Sequence, residues 1–345
     1  LVVFLNWLPF HNTEHYRILS NIMTDSAAIQ LQTGLEWLHR HNLSGVDISF
    51  DELLMYRNFT HLLSNKPNSK VKHQMSGQYL AKTKGRGMEF DEARHYQPGD
   101  DVRTIDWRVT ARTGKTHTKI FREEKDRPVF VFCDLLPSMR FGSQLLFKSV
   151  QACHLSALIA WTAKQRGDKI GGLILSENNL FEAKPRSRQQ AVLHWLKALK
   201  DNHNDLPMQQ EVTTTELDKQ TQEKKFIEAC AHLRRVAHPG SLVYLISDLQ
   251  HLTNDALQHL YQLQKHCEVV ACWVNDPIEQ TLPSAMSGLM PVTDGNETKI
   301  VNNTAQLAEY KLKAKQHFAS KKNALLDYNI KWLSISAGMP LSEQL

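Results

Sequence analysis

Long apolar runs are missing from this chain of 345 residues. The nearest approach, LVVFLNWLPF at residues 1 to 10, is broken by Asn6 and Pro9 and has no basic leader, so it suits neither a spanning helix nor a secretory signal. Cys-x-x-Cys pairs are also missing. The five cysteines, Cys133, Cys153, Cys230, Cys267 and Cys272, sit mostly inside apolar runs, which reads as reduced core thiols of a cytoplasmic protein rather than disulfides or metal ligands. No Gly-x-x-x-x-Gly-Lys-Ser/Thr string occurs, so ATP chemistry would have to come from a partner. The histidines are scattered, and neither His39 with His41 nor His251 with His259 has a cysteine or carboxylate at ligand spacing. Internal repeats and low-complexity tracts are absent.

What is present reads as a soluble globular protein: 41% of residues are hydrophobic and 22% charged, enough for one large domain with an appendage or for two domains. The net charge of +5 and the pI near 8.8 are mild. Much of the excess lies in Lys66, Lys70, Lys72, Lys82, Lys84 and Arg86, a stretch without acids. We read residues 66 to 86 as a solvated basic connector and do not expect nucleic acid as a partner. Met23-Thr24-Asp25-Ser26 opens a more natural sequence, so residues 1 to 22 read as an extension of the gene model.

Residues 23 to 65 form a helical N-terminal segment, in which Ser49-Phe50-Asp51-Glu52 spells a capping box ahead of the apolar Leu53, Leu54, Tyr56 and Phe59. Residues 87 to 127 change to turn and strand signals: Pro98-Gly99 suits the centre of a type II turn, and Arg112-Thr113-Gly114-Lys115 suits a hairpin tip. A small β-rich subdomain is expected there. From residue 128 to 340 strand and helix alternate, beginning with the apolar run Val129 to Cys133. This order predicts an α/β fold, a mainly parallel sheet with helices on both faces, whose ligands sit beyond the carboxyl ends of the strands. Asp134 and Asp248 each follow a strand at that edge.

The string from Gly85 to Asp134 resembles the family called domain of unknown function 58. It is carried by Phe90, Arg94, Tyr96, Pro98, Gly99, Asp100, Arg103, Ile105, Asp106, Trp107, Ala111, Arg112, Thr113 and Asp134. The resemblance implies a von Willebrand factor A-like domain of Rossmann-like type, working beside a MoxR-type AAA+ ATPase. It implies a non-enzymatic adaptor in the cytoplasm that helps assemble, mature or metal-load a client protein; many members of that family carry membrane helices ahead of this region, whereas this sequence reads as having no membrane span. It also implies a Mg²⁺ site at the carboxyl edge, built on Asp-x-Ser-x-Ser. Here that motif is Asp134-Leu135-Leu136-Pro137-Ser138, with an apolar residue at its second hydroxyl position. The metal site therefore reads as degenerate, with Asp134, Ser138 and Asp248 as its remaining ligands, and a metal-free edge that recognises partners through side chains is the preferred reading. Ser187, among Lys184, Arg186 and Arg188, is the nearest hydroxyl to stand in for a second-loop threonine.

For Arg94, Tyr96, Pro98, Gly99, Asp100, Arg103, Asp106, Trp107 and Arg112, the expectation is structural: turn carboxylates holding backbone amides and arginines, with Trp107 buried where the insert joins the main sheet. Partner recognition is the second reading. A competing enzyme class is a Mg²⁺-dependent nuclease using Asp106, Glu123 and Lys125, in imitation of an acid followed by Glu-x-Lys.

Overall fold

The computed structural model describes residues 25–64, 88–123, 128–204, 216–282, 290–293, 298–301 and 304–345. The extension expected at 1–22 and the basic connector at 66–86 lie outside the described residues. The chain divides into two compact units, one made of Leu1–Pro67 with Arg127–Leu345 and the other of Asn68–Asp126.

The first unit begins with α1 (Asp25–His41), α2 (Phe50–Met55) and the short α3 (His61–Ser64). The start of α2 follows from its sequence: the Glu52 amide donates to Ser49 Oγ at 3.1 Å, and the Ser49 amide donates back to Glu52 Oε2 at 3.2 Å. Two amides that a helix end would leave unpaired are thereby satisfied.

The second unit is a two-stranded antiparallel ribbon of β1 (Met88–His95) and β2 (His117–Glu123), with α4 (Trp107–Thr113) in the connection. Gln97 to Asp100 closes the expected turn, the Asp100 amide donating to the Gln97 carbonyl at 3.0 Å, and Gly99 takes φ +108°, a value side chains resist. The hairpin tip expected at Arg112 to Lys115 is instead the end of α4. Gly114 caps that helix in the left-handed conformation at φ +69°, its amide donating to the Thr110 carbonyl.

After the ribbon the chain returns to the first unit through β3 (Pro128–Leu135), α5 (Lys148–Arg166), β4 (Lys169–Ser176), β5 (Leu180–Arg186), α6 (Gln189–Asn204) and α7 (Glu216–Val236). There follow β6 (Leu242–Ser247), α8 (Asn254–Gln264), β7 (Glu268–Asn275), the one-turn α9 (Pro277–Gln280), a hairpin of β8 (Met290–Thr293) and β9 (Thr298–Val301), α10 (Thr304–Asp327) and β10 (Lys331–Ser336). Six strands form one sheet in the order β10-β7-β6-β3-β4-β5, parallel throughout except for β5, which runs antiparallel to β4. A mixed α/β architecture with a mostly parallel sheet is therefore realised. The hairpin of β8 and β9 had no counterpart in the sequence reading.

The period of two along β3 divides the core. Val129, Val131 and Cys133 pack with α5, α6 and α2, while Phe130 and Phe132 pack with Phe226, Cys230 and Leu233 of α7 and with Leu257 and Leu260 of α8. Each fully buried phenylalanine contributes about 1.5 to 3 kcal/mol. Gly172 allows α6 to approach, because a Cβ there would lie 2.1 Å from the Val131 carbonyl and 2.9 Å from the Trp195 ring. From Lys148 to Ala163, α5 is buried along its whole circumference. The sheet covers one side and α2 the other, where Trp161 Nε1 donates to the Leu53 carbonyl at 3.2 Å. All five cysteines are free thiols in the interior. Among the described residues no helix is long and apolar enough to cross a membrane.

Candidate functional site

Parallel neighbours finish at the same edge, so the adjacency of β3 and β6 brings Asp134 and Asp248 together. Asp134 Oδ1 accepts from the Leu136 amide at 3.0 Å, and Oδ2 accepts from Ser247 Oγ at 2.6 Å. The Ser247 hydroxyl in turn accepts from the Leu249 amide at 2.9 Å, where the chain turns through φ +58°. Asp248 Oδ1 takes the Gln250 amide at 3.0 Å. Its Oδ2 takes the ammonium of Lys148, the first residue of α5, at 2.8 Å. The same ammonium donates to Glu279 Oε1 at 2.7 Å and lies 5.9 Å from the centroid of the Phe141 ring. Glu279 is held in turn by the capping box of α9, its Oε2 accepting from the Asp276 amide at 3.1 Å.

Lys148 is 0% exposed and Asp248 1%. Burial alone would strip the proton from Lys148, but the two carboxylates outweigh it and raise its pKa above the ordinary lysine value. Burial likewise opposes ionisation of Asp248, and the ammonium reverses the sign, leaving its pKa below the usual carboxylate range. Asp134 has no such partner. Burial, then repulsion from Asp248, push its carboxyl up to about 7 despite the Ser247 hydroxyl and the Leu136 amide. Lys321 of α10 closes the cluster from the other face by donating to the Leu249 carbonyl at 2.5 Å.

These residues do not fit a divalent ion. The carboxylate oxygens of Asp134 and Asp248 are already engaged, and an ammonium stands at contact distance where a second cation would have to approach. Leu136 is fully buried in the apolar cluster with Phe130 and Phe132, so its side chain belongs to the core. Ser138 Oγ is shut off from solvent without a hydrogen-bond partner. Among the described residues no group of three or more His, Cys, Asp or Glu side chains is placed to hold a metal. Ser187 does not serve as a second-loop hydroxyl. Because β5 is antiparallel, Arg186 pairs with Ile170, and Ser187 follows at the opposite edge of the sheet.

In the ribbon unit, Arg94 pairs with Asp100 at 2.7 Å, the other Asp100 oxygen accepts from the Gln97 amide at 2.9 Å, and the Tyr96 hydroxyl donates to the Asp100 carbonyl at 3.3 Å. The backbone hydrogen bond first, and Arg94 with it, hold Asp100 below the usual carboxylate range. Asp106 caps α4, with Oδ1 accepting from the Arg108 and Val109 amides at 3.0 and 3.1 Å. Trp107, expected to be buried, is 69% exposed. The Asp106 cap puts Trp107 at the first position of a seven-residue helix, while Ile105 and Thr118 take the interior of the ribbon. Val102 is 63% exposed, and Arg103, Arg108 and Arg112 are exposed as well. Of the nuclease set, the side chain of Glu123 and all of Lys125 lie outside the described residues.

Lys148, Ser247 and Glu279 were not singled out by sequence reasoning. Lys148 did carry a signal: it opens a helix that has no second Lys, Arg, Asp or Glu before Lys164, so a buried position would oblige it to find an acid. Glu279 carried only a local capping pattern, Asp276-Pro277-Ile278-Glu279, and nothing near Ser247 or Glu279 in the sequence pointed to partners more than a hundred residues away.

The family described as "Protein of unknown function DUF58" matches residues 92–322. That description assigns no enzymatic activity. Uncharacterized proteins of Mycobacterium bovis and Mycobacterium tuberculosis are each 31% identical over 121 residues, which is 35% of this chain and 38% of theirs, so the match spans well under half the length of these relatives. Two solved structures are also similar in part. The conserved hypothetical protein BatB from Bacteroides thetaiotaomicron is 14% identical with a TM-score of 0.37, covering 63% of this chain and 93% of that one. An aerotolerance-related membrane protein from Bacteroides fragilis is 12% identical with a TM-score of 0.35, covering 63% and 96%.

Proposed function

We propose that this chain, which belongs to the DUF58 family of unknown function, is a non-enzymatic adaptor built on a von Willebrand factor A-like domain. It works in the cytoplasm with a MoxR-type AAA+ ATPase on the assembly, maturation or metal loading of a client protein. Partners are recognised through side chains, at the carboxyl edge and on the ribbon unit, and not through a cation.

The observation that carries this reading is Trp107, 69% exposed on a helix that also exposes Arg108 and Arg112. Tryptophan and arginine are the residues in which interface hot spots are richest, and an exposed tryptophan contributes little to folding. The nearby Asp106 is occupied with capping, so the local charges that remain available are mainly cationic. A partner with an acidic surface and an apolar cleft fits them. The carboxyl edge supports the reading differently: the Lys148 ammonium is held between Asp248 and Glu279, so the cluster fixes the end of the sheet rather than presenting a reactive group.

The test is calorimetric titration of the purified chain with a MoxR-type AAA+ ATPase. The parent binds, and Trp107→Ala melts like the parent while losing roughly 30-fold or more in affinity, the scale of a hot spot. Failure of the parent to bind would overturn the ATPase partnership, and parent-like binding by the variant would remove Trp107 from it. The nuclease alternative predicts Mg²⁺-stimulated cleavage of DNA or RNA that is lost in Asp106→Ala.

A further inference from the structure

We propose that Lys148 is the resident cation of the carboxyl edge: its ammonium joins Asp248 to Glu279, so this edge assembles without a metal, and removing the ammonium exposes a carboxylate pair able to take up Mn²⁺ or Mg²⁺. The inference does not rest on the adaptor reading, since it concerns how the edge is held and not what it binds.

The position of Lys148 is unfavourable on every count except its partners. It occupies the first turn of a 19-residue helix, where the positive end of the macrodipole repels a cation. It is fully buried, where an unpaired ammonium costs several kilocalories of desolvation. An apolar residue would meet neither cost. Two carboxylates from different elements nevertheless converge on it, at 2.8 and 2.7 Å, and the Phe141 ring lies 5.9 Å away. One of these acids follows β6 and the other belongs to α9, while Lys148 itself opens α5. The ammonium therefore fastens three separate chain segments where the strands end.

The oxygens around the ammonium are arranged as a cation would need them. Asp248 presents Oδ2 to the ammonium and uses Oδ1 for its own turn. Glu279 presents Oε1 and uses Oε2 for its helix cap. Each acid thus has one oxygen directed at Nζ and one anchored to backbone. Without Nζ, two anchored carboxylates would face a cavity the size of the lysine head, with Asp134 close enough for Asp248 to repel its charge. Hard divalent cations favour such oxygen sets and complete their shells with water.

Thermal melting and calorimetry of the full chain, with EDTA, MgCl₂ or MnCl₂, test the proposal. The melting temperature of the parent is unchanged by any of the three, and calorimetry with MnCl₂ gives no saturable heat. Lys148→Ala melts lower by roughly 5 to 8 °C. MnCl₂ returns several degrees of that loss. Lys148→Ala combined with Asp248→Asn loses the response to MnCl₂. Saturable Mn²⁺ binding by the parent that disappears in Asp248→Asn would overturn the proposal, as would a folded Lys148→Ala that ignores MnCl₂. If Lys148→Ala fails to fold, the variant with Asp248→Asn and Glu279→Gln added decides: recovery of folding shows that Lys148 acts through its charge, and equal failure shows that it acts by packing and overturns the proposal.

Discussion

At the carboxyl edge of the main sheet, the Lys148 ammonium stands 2.8 Å from Asp248 and 2.7 Å from Glu279, and the cluster is largely withdrawn from water. On the ribbon unit, Arg103, Arg108 and Arg112 remain in solvent beside Trp107 and Val102. Both regions concentrate ionic groups, and the solvent around them gives those groups different work. In a low-dielectric interior an unmatched charge is intolerable, so charges there must determine shape. In water the same charges are screened and contribute little to folding, which leaves them available for recognition. The comparison teaches that a cluster of acids and bases in a sequence can be a scaffold in one place and a contact surface in another, and that burial separates the two.

The sharpest way to break this contrast is Asp248→Ala. It leaves the buried ammonium with Glu279 alone and is expected to cost about 3 to 5 kcal/mol of stability. Urea unfolding measures the loss, and a change below about 1 kcal/mol would place the pair among weak surface contacts. Leu136→Ser comes next, with an expected loss of about 3 kcal/mol from an emptied apolar site and a buried hydroxyl. Since Leu136 belongs to the core, added MnCl₂ should not restore that stability; restoration would mean that the side chain can swing to the edge.

A pH titration probes another buried polar group of the first unit. Burial pushes His203 down to about 4, and its neutral ring bridges Ser149 Oγ and Asn204 Oδ1 at 2.9 Å each. The folded pKa lies below the unfolded value, so this stability is present above about pH 6.5 and is lost as pH falls toward 4. The loss should approach about 3 kcal/mol, because the unfolded chain binds the proton first. Urea midpoints across that interval should fall in the parent and fall less steeply in His203→Gln; parallel curves would assign the acid sensitivity elsewhere. The smallest effect belongs to the ribbon, where Trp107→Ala should change stability by no more than about 0.5 kcal/mol. A larger loss in urea would mean that the ring is needed for folding, and the contrast between the two regions would weaken.

Much of the local structure was legible. The Ser49 capping box, the Gln97 to Asp100 turn and the strand at Val129 are written in neighbouring residues, because each depends on contacts within a few positions. The end of α4 was misread, since Gly114 suits a hairpin and a helix cap equally well and only the Asp106 cap upstream decides between them. Trp107 was misassigned for a related reason. Its size argues for burial, but its place at the start of a short capped helix sends it outward.

By itself the sequence determined the alternation of strands and helices, the mainly parallel sheet and the placing of Asp134 at the end of one strand and Asp248 just after another, because hydrophobic period and segment order are local properties. Tertiary structure alone decided what those aspartates meet. Their partners are a hydroxyl at Ser247, 113 residues from Asp134, and an ammonium at Lys148, 100 residues before Asp248. Such pairs form only when the sheet order sets β3 beside β6 and brings the start of α5 to the same edge, and the field of a buried charge depends on distance in space rather than separation along the chain.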